Sequence, residues 1–237
     1  MRIALIGYGK MGRILEEIAE QRGHEIVLRA TSDAPVSPSH FPECDVAIEF
    51  SVPKAAVSNI LACFEANIPV VCGTTGWYNR IPEVRNYVEE HQGALLYASN
   101  FSLGVNVFNL ILEFASEKLK RTEEYLPSME ESHHIHKLDA PSGTALTLAD
   151  TVLDQFKDLD GWTDKNEPNK LNIDSFREGE IFGIHEVSFT SDNDKIQLKH
   201  EALNRKGFAS GAVRAAEWLK DRQGLFTMND LLQSVLK

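Results

Sequence analysis

The stretch that decides the fold opens the chain, where residues 1–12 read Met-Arg-Ile-Ala-Leu-Ile-Gly-Tyr-Gly-Lys-Met-Gly. The apolar run Arg2–Ile6 predicts a buried strand, and glycines at positions 7, 9 and 12 form the pattern G-x-G-x-x-G directly after it. Such glycines allow a tight turn, close approach of the backbone to a pyrophosphate, and close packing of a helix on the strand. We therefore expect a dinucleotide at the N-terminus of the following helix, where unpaired N–H groups favour anions.

Beyond this turn, strand and helix patterns alternate through the first hundred residues. Met11 to Ala19 carry apolar residues at helical spacing, and Gly23 stands where a helix-ending glycine belongs. The later predicted elements are strands over Glu25–Thr31, Asp45–Val52, Pro69–Thr74 and Ala94–Ser99, and helices over Lys54–Ala66 and Pro82–Glu90. This alternation predicts an α/β fold, a Rossmann-like doubly wound parallel sheet built by right-handed crossovers.

The pattern changes after residue 102. The predicted elements are helices over Val105–Leu119 and Thr144–Phe156, a strand over Ser128–His134, a loop over Asp158–Lys170, a hairpin of Ile181–Thr190 with Lys195–Glu201, and helices over Ala212–Leu219 and Leu231–Leu236. Because this order is α+β, it predicts a second domain over residues 103–211. Residues 1–102 and 212–237 then form the dinucleotide-binding domain.

Composition excludes several classes of protein. The 237 residues carry a formal net charge of −11, whereas nucleic-acid surfaces normally carry clustered positive charge. No apolar run approaches the roughly 18–20 residues that cross a bilayer. The three cysteines, none in a CxxC pair, fit a reducing compartment, so we expect a cytoplasmic protein that binds neither nucleic acid nor membrane.

Other polar segments are expected at the same carboxyl edge of the sheet. Asp33 lies 21 residues after Gly12, about where a carboxylate accepts hydrogen bonds from an adenosine ribose. Since Ala34 and Pro35 follow it without a cation for a 2′-phosphate, NADH is slightly favoured over NADPH, although Lys10 and Arg13 could lend charge. The predicted cofactor-binding residues are Gly7, Tyr8, Gly9, Lys10, Met11, Gly12, Asp33, Gly73, Thr74, Thr75, Ala98, Ser99, Asn100 and Phe101.

The densest chemistry lies in residues 131–145, which read Glu-Ser-His-His-Ile-His-Lys-Leu-Asp-Ala-Pro-Ser-Gly-Thr-Ala. Ser142 is a good N-cap, so the N–H groups of Gly143 and Thr144 are expected to point at an anion. Lys137 adds a positive charge and a proton donor, and His133 or His134 can act as acid or base near neutral pH. The segment predicts a receptor for a carboxylate-bearing substrate that can also protonate it.

Two other interpretations of the segment stay open. The histidines could be metal ligands, but neighbouring residues of a strand face opposite ways, so at most His134 and His136 share a face, with Glu131 and Asp139 as further ligands. A purely structural role, in which the histidines are surface residues beside a capped helix, is the second. We expect no metal, and His136 has the weakest case for a function.

The run from His133 to Ala145 resembles the signature of the dihydrodipicolinate reductase family. Further blocks resemble that family in the same order, so that the similarity covers nearly the whole chain: Asp45–Pro53, Gly73–Gly76, Ser99–Asn106 and Gly211–Arg214. The resemblance implies an enzyme of lysine and diaminopimelate biosynthesis that uses NADH or NADPH. It also implies that the second domain binds the substrate and builds a homotetramer.

The resemblance further implies a reaction and residue roles. A small dicarboxylate, 4-hydroxy-tetrahydrodipicolinate, would lose water and accept a hydride at ring C4, with protonation by Lys137 and His133. The substrate-binding residues would be His134, Ser142, Gly143 and Thr144.

Two other functions remain open from the residues alone: a NAD-binding sensor without turnover, and an oxidoreductase with a sugar or amino-acid substrate. The sensor gives Lys137 no role, and a neutral sugar suits the residues 142–144 less well than a carboxylate.

Overall fold

The computed structural model describes residues 1–31 and 36–235. They form two compact units: one combines Met1–Leu103 with the described residues from Lys206 onward, and the other is Gly104–Arg205. Each unit has a sheet of its own.

The first unit is built on a six-stranded sheet in the order β11-β5-β4-β3-β1-β2, in which every neighbouring pair is parallel. Its strands are β1 (Arg2–Ile6), β2 (Glu25–Ala30), β3 (Val46–Glu49), β4 (Val70–Cys72), β5 (Ala94–Tyr97) and β11 (Gly224–Phe226). Its helices are α1 (Lys10–Gln21), α2 (Pro53–Glu65), α3 (Ile81–Glu90), α6 (Lys206–Leu219) and α7 (Met228–Val235). The predicted doubly wound sheet is confirmed, and the strand order reverses between β1 and β3, the point where such sheets bind ligands.

The inner strands of this sheet, β1, β3, β4 and β5, are buried at nearly every position, which explains their continuous apolar runs. β3 and β4 are buried at every position, and their residues join α2 in one apolar cluster that includes Ile60, Phe64 and Trp77. Parallel strands covered on both sides are expected to read in this way.

The second unit is a five-stranded mixed sheet in the order β10-β9-β6-β8-β7. Its elements are α4 (Leu103–Lys120, which begins in the first unit), β6 (Leu126–His133), α5 (Gly143–Gln155), β7 (Trp162–Thr163), β8 (Leu171–Arg177), β9 (Ile184–Thr190) and β10 (Lys195–Glu201). β6 is antiparallel to β9 and parallel to β8. A buried cluster that includes Phe108 of α4, Leu148 of α5 and Val187 of β9 forms the core of this unit.

Three parts of the sequence-based prediction need correction. β8 was not predicted, and Trp162–Thr163 of the predicted loop 158–170 is the short strand β7. β11 was also missed. The helix expected from Ala212 begins at Lys206, so the chain returns to the first unit six residues earlier than the predicted boundary. The first part of this helix was not predicted because it contains Gly207 and Gly211, and glycine disfavours helices.

Within the described residues, no helix combines the length and apolar character that crossing a membrane requires.

Candidate active site

The glycine turn after β1 is closed by hydrogen bonds from two successive N–H groups, since Gly7 and Tyr8 both donate to the carbonyl oxygen of Ala30 at 2.9 Å. Gly7 has a φ of +95°, and a Cβ placed on it would lie 2.1 Å from the carbonyl oxygen of Phe50. A Cβ on Gly12 would lie 2.8 Å from the carbonyl oxygen of Gly7. These two glycines therefore have the predicted roles in the turn and in the packing of α1 against β1.

Gly9 differs from the other two glycines, because a Cβ on it would meet nothing within 4 Å. It is the N-cap residue of α1, whose first residue is Lys10, and no side chain among the described residues caps that helix end. The N-terminal N–H groups of α1 and the open space at Gly9 fit a bound pyrophosphate. The turn thus has the features that a dinucleotide requires.

Tyr8 adds a charged cluster to this turn. Its hydroxyl donates to Glu16 of α1, which also accepts from Arg29 of β2 with an Nε–Oε1 distance of 2.8 Å. The hydrogen bonds from Arg29 and Tyr8 hold the pKa of Glu16 below its ordinary value. Arg29 is therefore already paired with a carboxylate.

The segment after β4 is fixed mainly by its own contacts. A Cβ on Gly73 would lie 2.1 Å from the Phe50 ring, so glycine is required there by packing. The Thr74 hydroxyl accepts a hydrogen bond from the N–H of Ser51 at 2.8 Å, and the Thr74 carbonyl accepts from the Trp77 indole at 2.8 Å. Thr75 is exposed.

The segment after β5 places Ala98 and Asn100 in half-buried positions and exposes Ser99. Asn100 Oδ1 accepts from the N–H of Ser102 at 2.9 Å, forming a local turn. Phe101 is buried against Phe50, with ring centroids 5.8 Å apart. Its side chain is a core group, which leaves only its backbone for a ligand. The predicted ribose ligand Asp33 lies outside the described residues.

In the second unit, the register of β6 with β8 and β9 places several polar side chains next to one another on one face of the sheet. Glu131 of β6 pairs with Ser175 of β8 and with His185 of β9, and His133 pairs with Arg177. Since residues two apart on a strand share a face, all five side chains lie on one face. Of these residues, Glu131, His133 and His185 are buried.

Glu131 is the centre of this polar face, with 1 % of its surface exposed. Its Oε1 accepts from the N–H of Ser142 at 3.0 Å and from Nη2 of Arg177 at 2.9 Å. Burial raises the pKa of Glu131, but the contacts with His133, Ser142 and Arg177 outweigh it and hold that pKa far below its usual range. Glu131 is therefore a carboxylate at neutral pH.

Two imidazole rings face the second oxygen of Glu131. Oε2 lies 3.5 Å from Nε2 of His133 and 3.8 Å from Nε2 of His185, and the two rings meet edge-on with centroids 5.2 Å apart. Burial and the neighbouring His133 lower the pKa of His185 to about 4, so His185 is neutral at neutral pH. A Cβ on Gly183 would lie 2.9 Å from the His133 ring, so a glycine there leaves room for it.

His134 lies beside a second cation, because its Nε2 is 3.5 Å from Nη2 of Arg205. Desolvation and the Arg205 charge lower the pKa of His134, which favours the neutral ring. The N–H of His134 donates to the carbonyl of Ile181 at 2.8 Å, which fixes the end of β6.

Lys137 is paired within its own loop. Its ammonium lies 2.8 Å from both carboxylate oxygens of Asp139, and 21 % of its side chain is exposed. Burial raises the pKa of Asp139, but the bonded ammonium outweighs it and lowers that pKa overall. Lys137 is thus a half-buried residue whose ammonium is held by a carboxylate of the same loop.

Ser142 caps α5 as predicted, since its hydroxyl accepts from the N–H of Ala145 at 3.1 Å. The same hydroxyl lies 3.3 Å from Nε2 of His185. A Cβ on Gly143 would meet nothing within 4 Å, so there is open space beside the first residue of α5. A helix N-terminus of this kind suits a carboxylate group.

The sequence-based prediction missed Arg177, His185 and Arg205 as parts of this site. Arg177 ends the strand that was not predicted, and the other two lie in or after the hairpin, where single residues carry no recognisable motif. The group with metal-ligating composition is Glu131, His133 and His185, whose ligand atoms lie within 4.8 Å of one another, and not the pair His134 and His136 considered from the sequence.

Comparison with known proteins gives the family. A family model for the N-terminal part of dihydrodipicolinate reductase matches residues 1–101, and one for its C-terminal part matches residues 104–232. The chain belongs to the dihydrodipicolinate reductase family. It is an oxidoreductase that uses a pyridine nucleotide.

Individual relatives agree with this assignment. The chain is 47 % identical over 238 residues to a 4-hydroxy-tetrahydrodipicolinate reductase of Christiangramia forsetii, with all of both chains covered. It is 32 % identical to one of Acinetobacter baylyi, with 98 % of this chain and 96 % of the relative covered. A dipicolinate-bound dihydrodipicolinate reductase of Paenisporosarcina sp. TG-14 has the same fold, with a TM-score of 0.75, 22 % identity, and 96 % and 97 % coverage.

Proposed function

We propose that this chain reduces 4-hydroxy-tetrahydrodipicolinate to tetrahydrodipicolinate in lysine and diaminopimelate biosynthesis. The observation that carries the proposal is the match along the full length to a 4-hydroxy-tetrahydrodipicolinate reductase, at 47 % identity. The polar site of the second unit supports it, because cations and helix N–H groups there suit a dicarboxylate.

The first unit is proposed to bind the nucleotide. Gly7–Gly12 would hold the pyrophosphate at the start of α1, and the segments 73–75 and 98–101 would complete the site. When bound, the reduced nicotinamide supplies a hydride. We infer a slight preference for NADH, because Asp33 follows Gly12 at the sequence spacing expected of a ribose-binding carboxylate and Arg29 is already paired with Glu16.

The second unit is proposed to bind the substrate. The N–H groups of Gly143 and Thr144 would donate hydrogen bonds to one carboxylate of the substrate at the start of α5, beside the Ser142 cap. Lys137, His134 and the adjacent Arg205 would hold the second carboxylate, through charge and hydrogen bonds. Fixing both ends of a small ring orients it, and orientation supplies a large part of an enzymatic rate.

Protonation is proposed to fall to Lys137 and His133. The Lys137 ammonium carries three donors, and it lies 2.8 Å from both carboxylate oxygens of Asp139, whose own side chain is more than half exposed. His133, whose ring is mostly buried, lies with its Nε2 3.5 Å from Oε2 of Glu131, and an imidazole can act as a general acid or base. In this scheme hydride addition leaves an enamine that needs one proton to become the product; Lys137 donates that proton, and His133 then passes a proton back to Lys137.

A cytoplasmic homotetramer is part of the proposal. The tetramer is taken from the family resemblance, and the location from the free cysteines Cys44, Cys63 and Cys72, which suit a reducing compartment.

The decisive experiment supplies the purified protein with freshly made 4-hydroxy-tetrahydrodipicolinate, formed by an aldolase and called the aldolase product below, and follows NADH absorbance. We expect absorbance to fall only when the aldolase product is present, and the same assay with NADPH gives the nucleotide preference. Binding of NADH without consumption would instead identify a sensor. Consumption with a sugar or amino acid, but not with the aldolase product, would identify a different oxidoreductase.

A further inference from the structure

The candidate catalytic groups of the second unit all connect to one ion pair, formed by the buried Glu131 and the half-buried Arg177. We propose that Glu131 and Arg177 are positioning residues that together hold His133, Lys137 and the first turn of α5 for the reaction. This inference rests on the proposed function, since it assigns a role within the same site.

Glu131 serves two elements with its two oxygens. Oε1 is fully used, because it accepts from the N–H of Ser142 and from Arg177 at 3.0 and 2.9 Å. Oε2 has no hydrogen-bond partner among the described residues and faces the Nε2 atoms of His133 and His185. One carboxylate therefore anchors the N-cap of α5 and orients the His133 ring.

Arg177 extends the same connection to Lys137. Its Nη2 donates not only to Glu131 but also to the carbonyl oxygen of Asp139 at 2.5 Å, and its Nη1 donates to the carbonyl oxygen of Phe176 at 2.6 Å. The Asp139 side chain then holds the Lys137 ammonium. The loop between β6 and α5 is thus fixed near Asp139 by Arg177 and at Ser142 by Glu131.

Stability alone does not account for an ion pair at this place. Replacing a buried ion pair by apolar residues of similar volume is often neutral or stabilising, whereas removing one partner is strongly destabilising. The arginine geometry is specific, because its planar fork reaches several acceptors at once, which lysine does not. Groups behind a catalytic set commonly act by fixing its orientation.

Glu131, His133 and His185 also have the composition of a divalent metal site. Experiment can distinguish a metal bound to Glu131 from the ion pair of Glu131 with Arg177. Arg177 places its positive charge on the carboxylate that would have to bind the metal. This charge repels a second cation. A metal-dependent activity would therefore contradict the positioning role.

The test measures kcat and both KM values for Glu131→Gln, Glu131→Ala, Arg177→Met and Arg177→Lys. Glu124→Gln is the matched control, since Glu124 is exposed in the same unit. For Glu131→Gln we expect kcat to fall by about 10- to 100-fold with the substrate KM within about threefold, because a glutamine oxygen still accepts from Ser142 while the charge facing His133 is lost. Glu131→Ala should also raise the substrate KM, because the N-cap loses its acceptor.

The arginine variants test the same connection from its other end. Arg177→Met should lose kcat to a similar extent, and Arg177→Lys should recover part of that loss because it keeps the charge. The nucleotide KM should stay unchanged in every variant, because the residues proposed to hold the nucleotide belong to the first unit. We expect this chain to bind dipicolinate, as the reductase of Paenisporosarcina sp. TG-14 does, at the proposed substrate site. Titration with dipicolinate then counts the competent sites and separates a lower kcat from a smaller folded fraction.

Three outcomes would overturn the inference: wild-type kcat in Glu131→Gln, a loss that disappears when rates are divided by dipicolinate-binding sites, or activity abolished by a chelator and restored by a divalent metal. A wild-type protein that fails to turn over would instead remove the proposed function, and this inference with it.

Discussion

Lys137 holds its ammonium against both oxygens of Asp139, so its charge is partly balanced before any substrate arrives. A substrate carboxylate would compete with Asp139 for the same three donors. Because Asp139 has more than half of its side chain exposed, this pairing is weaker than a buried one and can be exchanged.

Replacing Lys137 with alanine should therefore reduce kcat by about 10²- to 10⁴-fold, the usual contribution of a positioned proton donor. NADH affinity, measured by fluorescence titration, should stay close to that of the wild type. Lys157→Ala is the control, because Lys157 is 73 % exposed and forms only a surface ion pair with Asp154. Wild-type turnover in Lys137→Ala would remove Lys137 from the reaction.

The role of a single residue could be predicted from the sequence only where the residue belongs to a local motif. Gly7, Gly12 and Ser142 could be assigned from sequence because each has a requirement that depends on its near neighbours, such as a positive φ or a helix start. Arg177 and His185 could not, since they join Glu131 only through the register of three strands. Register depends on the whole sheet and leaves no local pattern.

At the scale of elements, substitutions in the turn between β1 and α1 can distinguish an effect on nucleotide binding from an effect on stability. Gly9→Ala should lower the melting temperature much less than Gly12→Ala, because its φ of −101° is not in the left-handed region and the added Cβ meets no atom within 4 Å. The same Cβ fills the space proposed for the pyrophosphate, so NADH affinity should fall at least about tenfold, or ~1.4 kcal/mol.

Gly12→Ala is the matched comparison, since its Cβ would lie 2.8 Å from a backbone carbonyl and should lower the melting temperature. Unchanged NADH affinity in a well-folded Gly9→Ala would show that the phosphates do not approach this turn. Calorimetry and nucleotide titration measure both quantities on the same samples.

The elements recovered from sequence are the long periodic ones, and those missed are short or interrupted. β11 has only three residues and joins the sheet beside β5, a pairing that no local signal announces. β8 alternates half-buried polar residues with buried Leu171 and Ile173 directly after a polar loop. Such strands are set by their partners more than by their own propensity.

At the scale of the molecule, the two units are proposed to bind different ligands, and hydrogen–deuterium exchange can test this division. NADH should slow exchange in residues 7–13 and 73–76, whereas dipicolinate should slow it in residues 133–145. The edge strand β10 (Lys195–Glu201) serves as the internal reference, since neither ligand is proposed to touch it. Protection of residues 133–145 by NADH alone, without change at 7–13, would contradict the assignment.

The return of α6 to the first unit has a consequence for how the chain is made. Its buried residues Ala209, Ala212 and Ala216 belong to the first unit, and Glu217 binds Arg22 with two hydrogen bonds. During translation the β1–β5 segment is synthesised more than a hundred residues before the first residue of α6. While the second unit is being translated, the apolar surface that α6 later covers therefore stays exposed to solvent. We expect the nascent chain to be most prone to aggregation during that interval.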